Sequence, residues 1–167
     1  MIEDFEVWRS ELMRTGRIPP DSDTSVDPDQ AEADCRRYAE LVDMAEGDEG
    51  REVFEALLAS MQVPEDYEVY QGTHRALHRF STADVGDWLY RGWDGLAQRS
   101  PETAWDLLNQ MARGWFGDDA RTSFNRAWGA ADRTTKAAQL EAVVKQEEAG
   151  GWLDSELARE KLRPNPS

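Results

Sequence analysis

Residues 81–115 read STADVGDWLYRGWDGLAQRSPETAWDLLNQMARGW. Two helix starts stand in this stretch. Ser81-Thr82-Ala83-Asp84 offers a hydroxyl cap with an acid three residues on. Ser100-Pro101-Glu102 offers a cap followed by proline at the first helical position, where its missing N–H costs nothing. Behind the first start, Val85, Leu89, Gly92 and Leu96 recur at helical spacing, with Trp88 and Trp93 on the flanks of that stripe. Behind the second, Ala104, Leu108, Met111, Ala112 and Trp115 do the same, and Gly117 closes the run. Gly92 costs about 1 kcal/mol of helix propensity, which is tolerable where a neighbouring helix comes close.

The same pattern extends in both directions. Ile2, Phe5, Trp8 and Leu12 open a first helix that Gly16 ends. Residues 17–27 form a polar, proline-containing loop. Asp27 caps the next helix, with Pro28 at its first position and Gln30 completing a capping-box pattern. Ala31, Cys35, Tyr38, Val42 and Ala45 form its apolar stripe. Val53, Phe54, Leu57, Leu58 and Met61 mark a third helix. A fourth runs from Glu65 to about Arg79, with Tyr67, Tyr70, His74 and Leu77 toward one side. Phe124, Trp128 and Ala131 mark a seventh, and Ala137, Leu140, Val143 and Val144 an eighth. Gly150-Gly151 precedes a short amphipathic piece at Trp152, Leu153 and Leu157. No stretch alternates with the period of a strand. The expectation is an all-α fold of about eight helices, either an antiparallel helical array or a short α-solenoid. It would be one domain over 1–162, with residues 163–167 as a frayed tail.

Charge is unevenly distributed. The chain has 167 residues and a net charge of −15. Residues 1–66 hold 19 acids against six arginines, whereas residues 67–167 hold 15 acids against 13 bases. Six of the seven tryptophans lie at or after Trp88. An acidic N-terminal third therefore precedes a Trp-rich helical body at 67–162. Such a surface repels nucleic acid and attracts a basic protein. No apolar window is long enough for a membrane span. The acidic start lacks the basic and apolar regions of a secretory signal, and a single cysteine, Cys35, fits a reducing cytoplasm.

Little in the sequence points to catalysis. His74 and His78 are four apart on a helix, as a zinc site needs, but Arg75 stands where a zinc protease has glutamate, and no Cys–His cluster adds ligands. Their plain reading is a helix pair hydrogen-bonded to neighbours. Cys35 lies on an apolar stripe without a nearby activating group, so it reads as a small hydrophobe. There is no glycine-rich phosphate loop and no nucleophile elbow. Trp115 and Trp128 fall at core positions. Asp87, Arg91 and Asp94 lie on the solvent side of their helix, with Asp87 and Arg91 spaced as an i,i+4 ion pair. No cofactor, metal or enzyme activity is expected.

The run YEVYQGTHRALHRFSTADVGDWLYRGWDGLAQRSPETAWDLLNQMARGW, residues 67–115, resembles the middle of helical, HEAT-like bacterial immunity proteins, the antidotes of polymorphic and contact-dependent toxins. The likeness covers under a third of the chain and carries no signature motif. It implies a cytoplasmic, non-enzymatic inhibitor that occludes the active site of one cognate toxin with a basic surface, often a nuclease. Two surfaces are candidates for the contact. One is the acidic helix with Asp29, Glu32, Asp34, Glu40 and Asp43. The other carries Asp84, Asp87, Trp88 and Asp94. A generic helical adaptor, whose acidity serves solubility, is the alternative, and a small helical metal protein or enzyme is a third.

Overall fold

The computed structural model describes residues 2–19, 25–63 and 69–135. Seven helices lie among them: α1 Phe5–Thr15, α2 Pro28–Asp43, α3 Arg51–Ser60, α4 Val69–Leu77, α5 Val85–Arg99, α6 Pro101–Arg113 and α7 Asp118–Ala130. No strand occurs among the described residues, and the fold is all-α. The predicted eighth helix, the Gly150-Gly151 break, the tail and Tyr67 fall outside the described residues.

Helix ends follow the chemistry of their caps. The Asp4 carboxylate accepts the Val7 N–H at the start of α1, and that of Asp27 accepts the Asp29 N–H at the start of α2, with Pro28 at the first position. Such caps satisfy donors the helix itself cannot. Ser100 separates α5 from α6. Its N–H closes α5 on Leu96, its carbonyl accepts the first α6 bond from Ala104, and its hydroxyl donates to Thr103. The start of α5 differs from expectation. The helix begins at Val85 rather than behind Ser81, because Thr82 Oγ1 accepts the Asp84 N–H and holds residues 82–84 in a turn.

The helices gather into two compact units. The first holds the residues up to Ser81 together with Gly92–Ala104. In it α1 packs on α2 and α3, and α4 packs on α2 and α3. Trp8, Leu12, Leu41, Val42, Phe54, Leu57, Leu58, Met61 and Leu77 are buried. Two tyrosines carry polar groups into this core. The Tyr38 hydroxyl lies 2.8 Å from Ser60 Oγ and 2.7 Å from Thr73 Oγ1. The Tyr70 hydroxyl donates to the Gly16 carbonyl at 2.8 Å and accepts the Gln62 N–H at 2.9 Å. The two rings meet edge-on at 5.9 Å. Cys35 is only half-buried, at the margin of the predicted stripe. Trp93, expected on the flank of α5, is 5% exposed, and its Nε1 donates to the Ala104 carbonyl. Gly92 meets Leu58, where an added Cβ would stand 2.9 Å from Leu58 Cδ1. This is the close approach that its place on the apolar face required.

The second unit holds Thr82–Arg91 and the residues from Trp105 onward. Val85, Leu89, Leu107, Leu108, Met111, Phe124 and Trp128 are buried there. At Gly86, α5 lies directly on α7. An added Cβ would collide with the Ala120 carbonyl oxygen and stand 2.5 Å from the Phe124 nitrogen. Trp115, predicted to be core, is 62% exposed. The predicted stop at Gly117 comes too late. Gly114, at φ +78°, ends α6. Its N–H bonds the Met111 carbonyl, and the Trp115 N–H bonds the Gln110 carbonyl. That left-handed glycine closure turns the chain out of the helix before Trp115, so the apolar stripe cannot be extrapolated to it. Past α7, Asp132 accepts the N–H groups of Thr134 and Thr135, as a helix cap does.

Burial holds the Tyr38 phenol well above its ordinary pKa. An unfolded tyrosine ionises near pH ~10, so the stabilisation from a neutral Tyr38 is full below that pH and is lost as pH rises beyond it. Tyr38→Phe should lower unfolding free energy by about 1–3 kcal/mol at neutral pH and flatten the alkaline loss of stability, measured by urea titration at several pH values.

Gly86→Ala should destabilise the fold by about 3 kcal/mol or more, because the obstruction is backbone on a facing helix. Gly129, also helical, has nothing within 4 Å of an added Cβ. Gly129→Ala should stabilise by about 0.5–1 kcal/mol, so thermal melts of the two variants should move in opposite directions.

Candidate functional site

The first candidate surface is built on α2. Tyr38, Leu41 and Val42 face the core, Ala31, Asp34, Cys35 and Arg37 are half-buried, and the remaining positions of the helix are exposed. Asp29, Glu32, Glu40 and Asp43 are exposed and Asp34 is half-buried. Residues 27–55 hold eleven acids against three arginines. All five predicted residues therefore stand on one acid-dense helix.

Arginines meet most of them. Arg36 pairs with Glu32 at 2.7 Å, Arg14 of α1 with Asp34 at 2.8 Å, and Arg79, beyond α4, with Asp43 at 3.2 Å. Arg37 reaches both Glu40 at 2.9 Å and Glu11 of α1 at 2.8 Å. The bond from Arg37 keeps the Glu11 carboxyl below its ordinary range. Exposed pairs of this kind add little stability singly. Here they fix carboxylate positions, and the surplus of acids leaves the surface negative. Only the local i,i+3 and i,i+4 pairs were open to recognition from spacing. The bridges from Arg14 and Arg79, and that from Arg37 to Glu11, depend on packing between helices.

The turn from α2 to α3 continues the acidic surface. Glu49 accepts the N–H of Glu46 at 2.7 Å and of Gly47 at 2.9 Å. Arg79 Nη1 donates to the Ala45 carbonyl at 2.6 Å from the other side. Burial alone would raise the Glu49 pKa, but the backbone N–H groups outweigh it and hold the carboxyl below the usual glutamate value.

The second candidate surface resolves differently. Asp84 and Asp87 line a cleft of about 420 Å³ between α5 and α7, together with Tyr90, Arg91, Ser123 and Arg126. Ala127, Ala130 and Ala131 complete the lining. Arg91 Nε donates to Asp87 Oδ2 at 2.6 Å, the pair expected from spacing. Trp88 is half-buried and does not line the cleft, and Asp94 is exposed within the part of α5 that belongs to the first unit. Tyr90, Ser123 and Arg126 were missed, since only the pairing of α5 with α7 brings them to Asp84.

His74 is buried on α4 and His78 is half-buried just past its end. Among the described residues no group of three or more His, Cys, Asp or Glu side chains is arranged to hold a metal ion. No helix among them is long and apolar enough to cross a membrane. Comparison of the chain with protein-family models, curated proteins and solved structures finds no match.

The lowered pKa of Glu49 has a consequence in acid. Its stabilisation of the turn is full above the ordinary glutamate pKa of about 4.3 and is lost as pH falls through that value toward the lower folded one. Amide exchange at Glu46 and Gly47 should show protection near neutrality that declines in acid, and Glu49→Gln should remove most of that dependence.

Proposed function

We propose that this chain is a non-enzymatic acidic binding protein, an immunity protein that neutralises a cognate toxin by laying its acidic helix over a basic active-site cleft. The observation that carries the reading is the concentration of eleven acids in residues 27–55, five of them on α2, a helix whose opposite face is locked into a core. A rigid array of carboxylates offers a basic partner fixed acceptor positions and speeds encounter. The likeness of residues 67–115 to helical immunity proteins supports the same reading from a different part of the chain. The arginines seated on Glu32, Asp34, Glu40 and Asp43 favour a second reading. In it the protein is a helical adaptor whose charges serve solubility.

Co-expression with the adjacent open reading frame, scored for rescue from toxicity, tests the role. Kinetics on the resulting pair test the mechanism. Between about 50 and 300 mM salt, association should slow by roughly tenfold with a smaller change in dissociation. Neutralising Asp29, Glu32, Glu40 and Asp43 together to Asn or Gln should slow it similarly. An association rate indifferent to both salt and these substitutions leaves the adaptor reading in place.

A further inference from the structure

The cleft between α5 and α7 lies in the second unit and shares no lining residue with the acidic surface on α2. Its charges balance: two carboxylates and two guanidinium groups line it. Asp87 and Arg91 satisfy each other at 2.6 Å. That leaves the Asp84 carboxylate and the Arg126 guanidinium, neither of which has an ion pair among the described residues. Asp84 is held at the mouth of α5 by its N–H bond to Thr82 Oγ1 and by its carbonyl, which accepts the Trp88 N–H.

The rest of the lining is shaped for a small apolar group. Tyr90 is fixed edge-on against Phe124 at 5.8 Å. Ala127, Ala130 and Ala131 present only methyl groups, which is why α7 leaves open volume there. Ser123, whose Oγ donates to the Ala120 carbonyl, adds a hydroxyl to the lining. A volume of about 420 Å³ lies within the range of small-ligand sites, which combine apolar walls with a few fixed polar groups.

We propose that this cleft binds a small zwitterion, an α-amino acid with an apolar or aromatic side chain. Asp84 receives the ammonium group and Arg126 the carboxylate, and the side chain rests against Tyr90 and the alanines. A ligand with one charge only would leave either Asp84 or Arg126 unmatched. A dianion or dication would meet repulsion from one of them.

The test is a titration of the full chain followed by amide ¹H–¹⁵N spectra, using L-phenylalanine, phenethylamine and 3-phenylpropionate. Phenylalanine should shift the signals of residues 84–91 and 123–131, with affinity in the millimolar range or tighter. Each analogue, lacking one charge, should bind about tenfold more weakly. Asp84→Asn should weaken phenylalanine but leave phenylpropionate unchanged, and Arg126→Gln should weaken phenylalanine but leave phenethylamine unchanged. The absence of any shift up to about 10 mM phenylalanine overturns the proposal. So does equal binding of the two analogues and phenylalanine by the unaltered chain, a comparison that needs no variant to fold.

Discussion

Polar groups enclosed by a helical core need hydrogen-bond partners, and in the first unit two phenol hydroxyls use theirs to join α1, α2, α3 and α4. Tyr38 on α2 reaches Ser60 at the end of α3 and Thr73 on α4. Tyr70 on α4 reaches back to the carbonyl of Gly16 that ends α1. The helices are thereby joined at buried, directional contacts rather than by apolar area alone, and a buried hydroxyl left without a partner is costly. The register of α2 follows: with Tyr38 inside, Glu32, Glu40 and Asp43 are turned outward. The acidic surface is the reverse side of the tyrosine contact.

That surface repels itself. Eleven acids over residues 27–55 outnumber their arginines, and self-repulsion of this kind weakens a compact state. Arginines from other elements offset it. Arg14 and Arg79 come to α2 from outside the helix, and Arg37 leaves α2 to reach Glu11 on α1. Each bridge joins α2 to another element, so relief of repulsion and closure of the fold coincide. The same bridges are what a basic partner would have to compete with or add to.

The parts of the fold that local chemistry decides were legible in the sequence. Asp27-Pro28 and Ser100-Pro101 mark helix starts whose caps the chain carries within three residues, and Val53, Phe54, Leu57, Leu58 and Met61 are all buried as their spacing requires. What was not legible turns on a competing local motif or on distant pairing. Trp115 continues the apolar stripe of α6 by position, but Gly114 in the left-handed region ends the helix first. Trp93 reads as a flank residue until the Ala104 carbonyl gives its N–H a buried partner. At the candidate sites, the acids of α2 were visible as composition, whereas the arginines that orient Asp34, Asp43 and Glu11 were not. Asp84 and Asp87 stood out as exposed acids, but their cleft exists only because Gly86 lets α5 lie on α7, which brings Arg126 within the same lining.

The two surfaces therefore use charge in opposite ways. Over α2 the acids are in surplus, and the arginines that bind them arrange the excess without cancelling it. In the cleft the signs are equal, and one ion pair is already closed by Arg91 and Asp87. A long-range field draws a large cationic partner and is screened by salt. A balanced pair of opposite charges exerts little field at a distance and acts only on a ligand already within contact. The surplus of acids over residues 27–55 accordingly matters for the α2 surface, where its carboxylates stand. Recognition in the cleft depends instead on the separation of Asp84 from Arg126, which the packing of α5 on α7 at Gly86 sets.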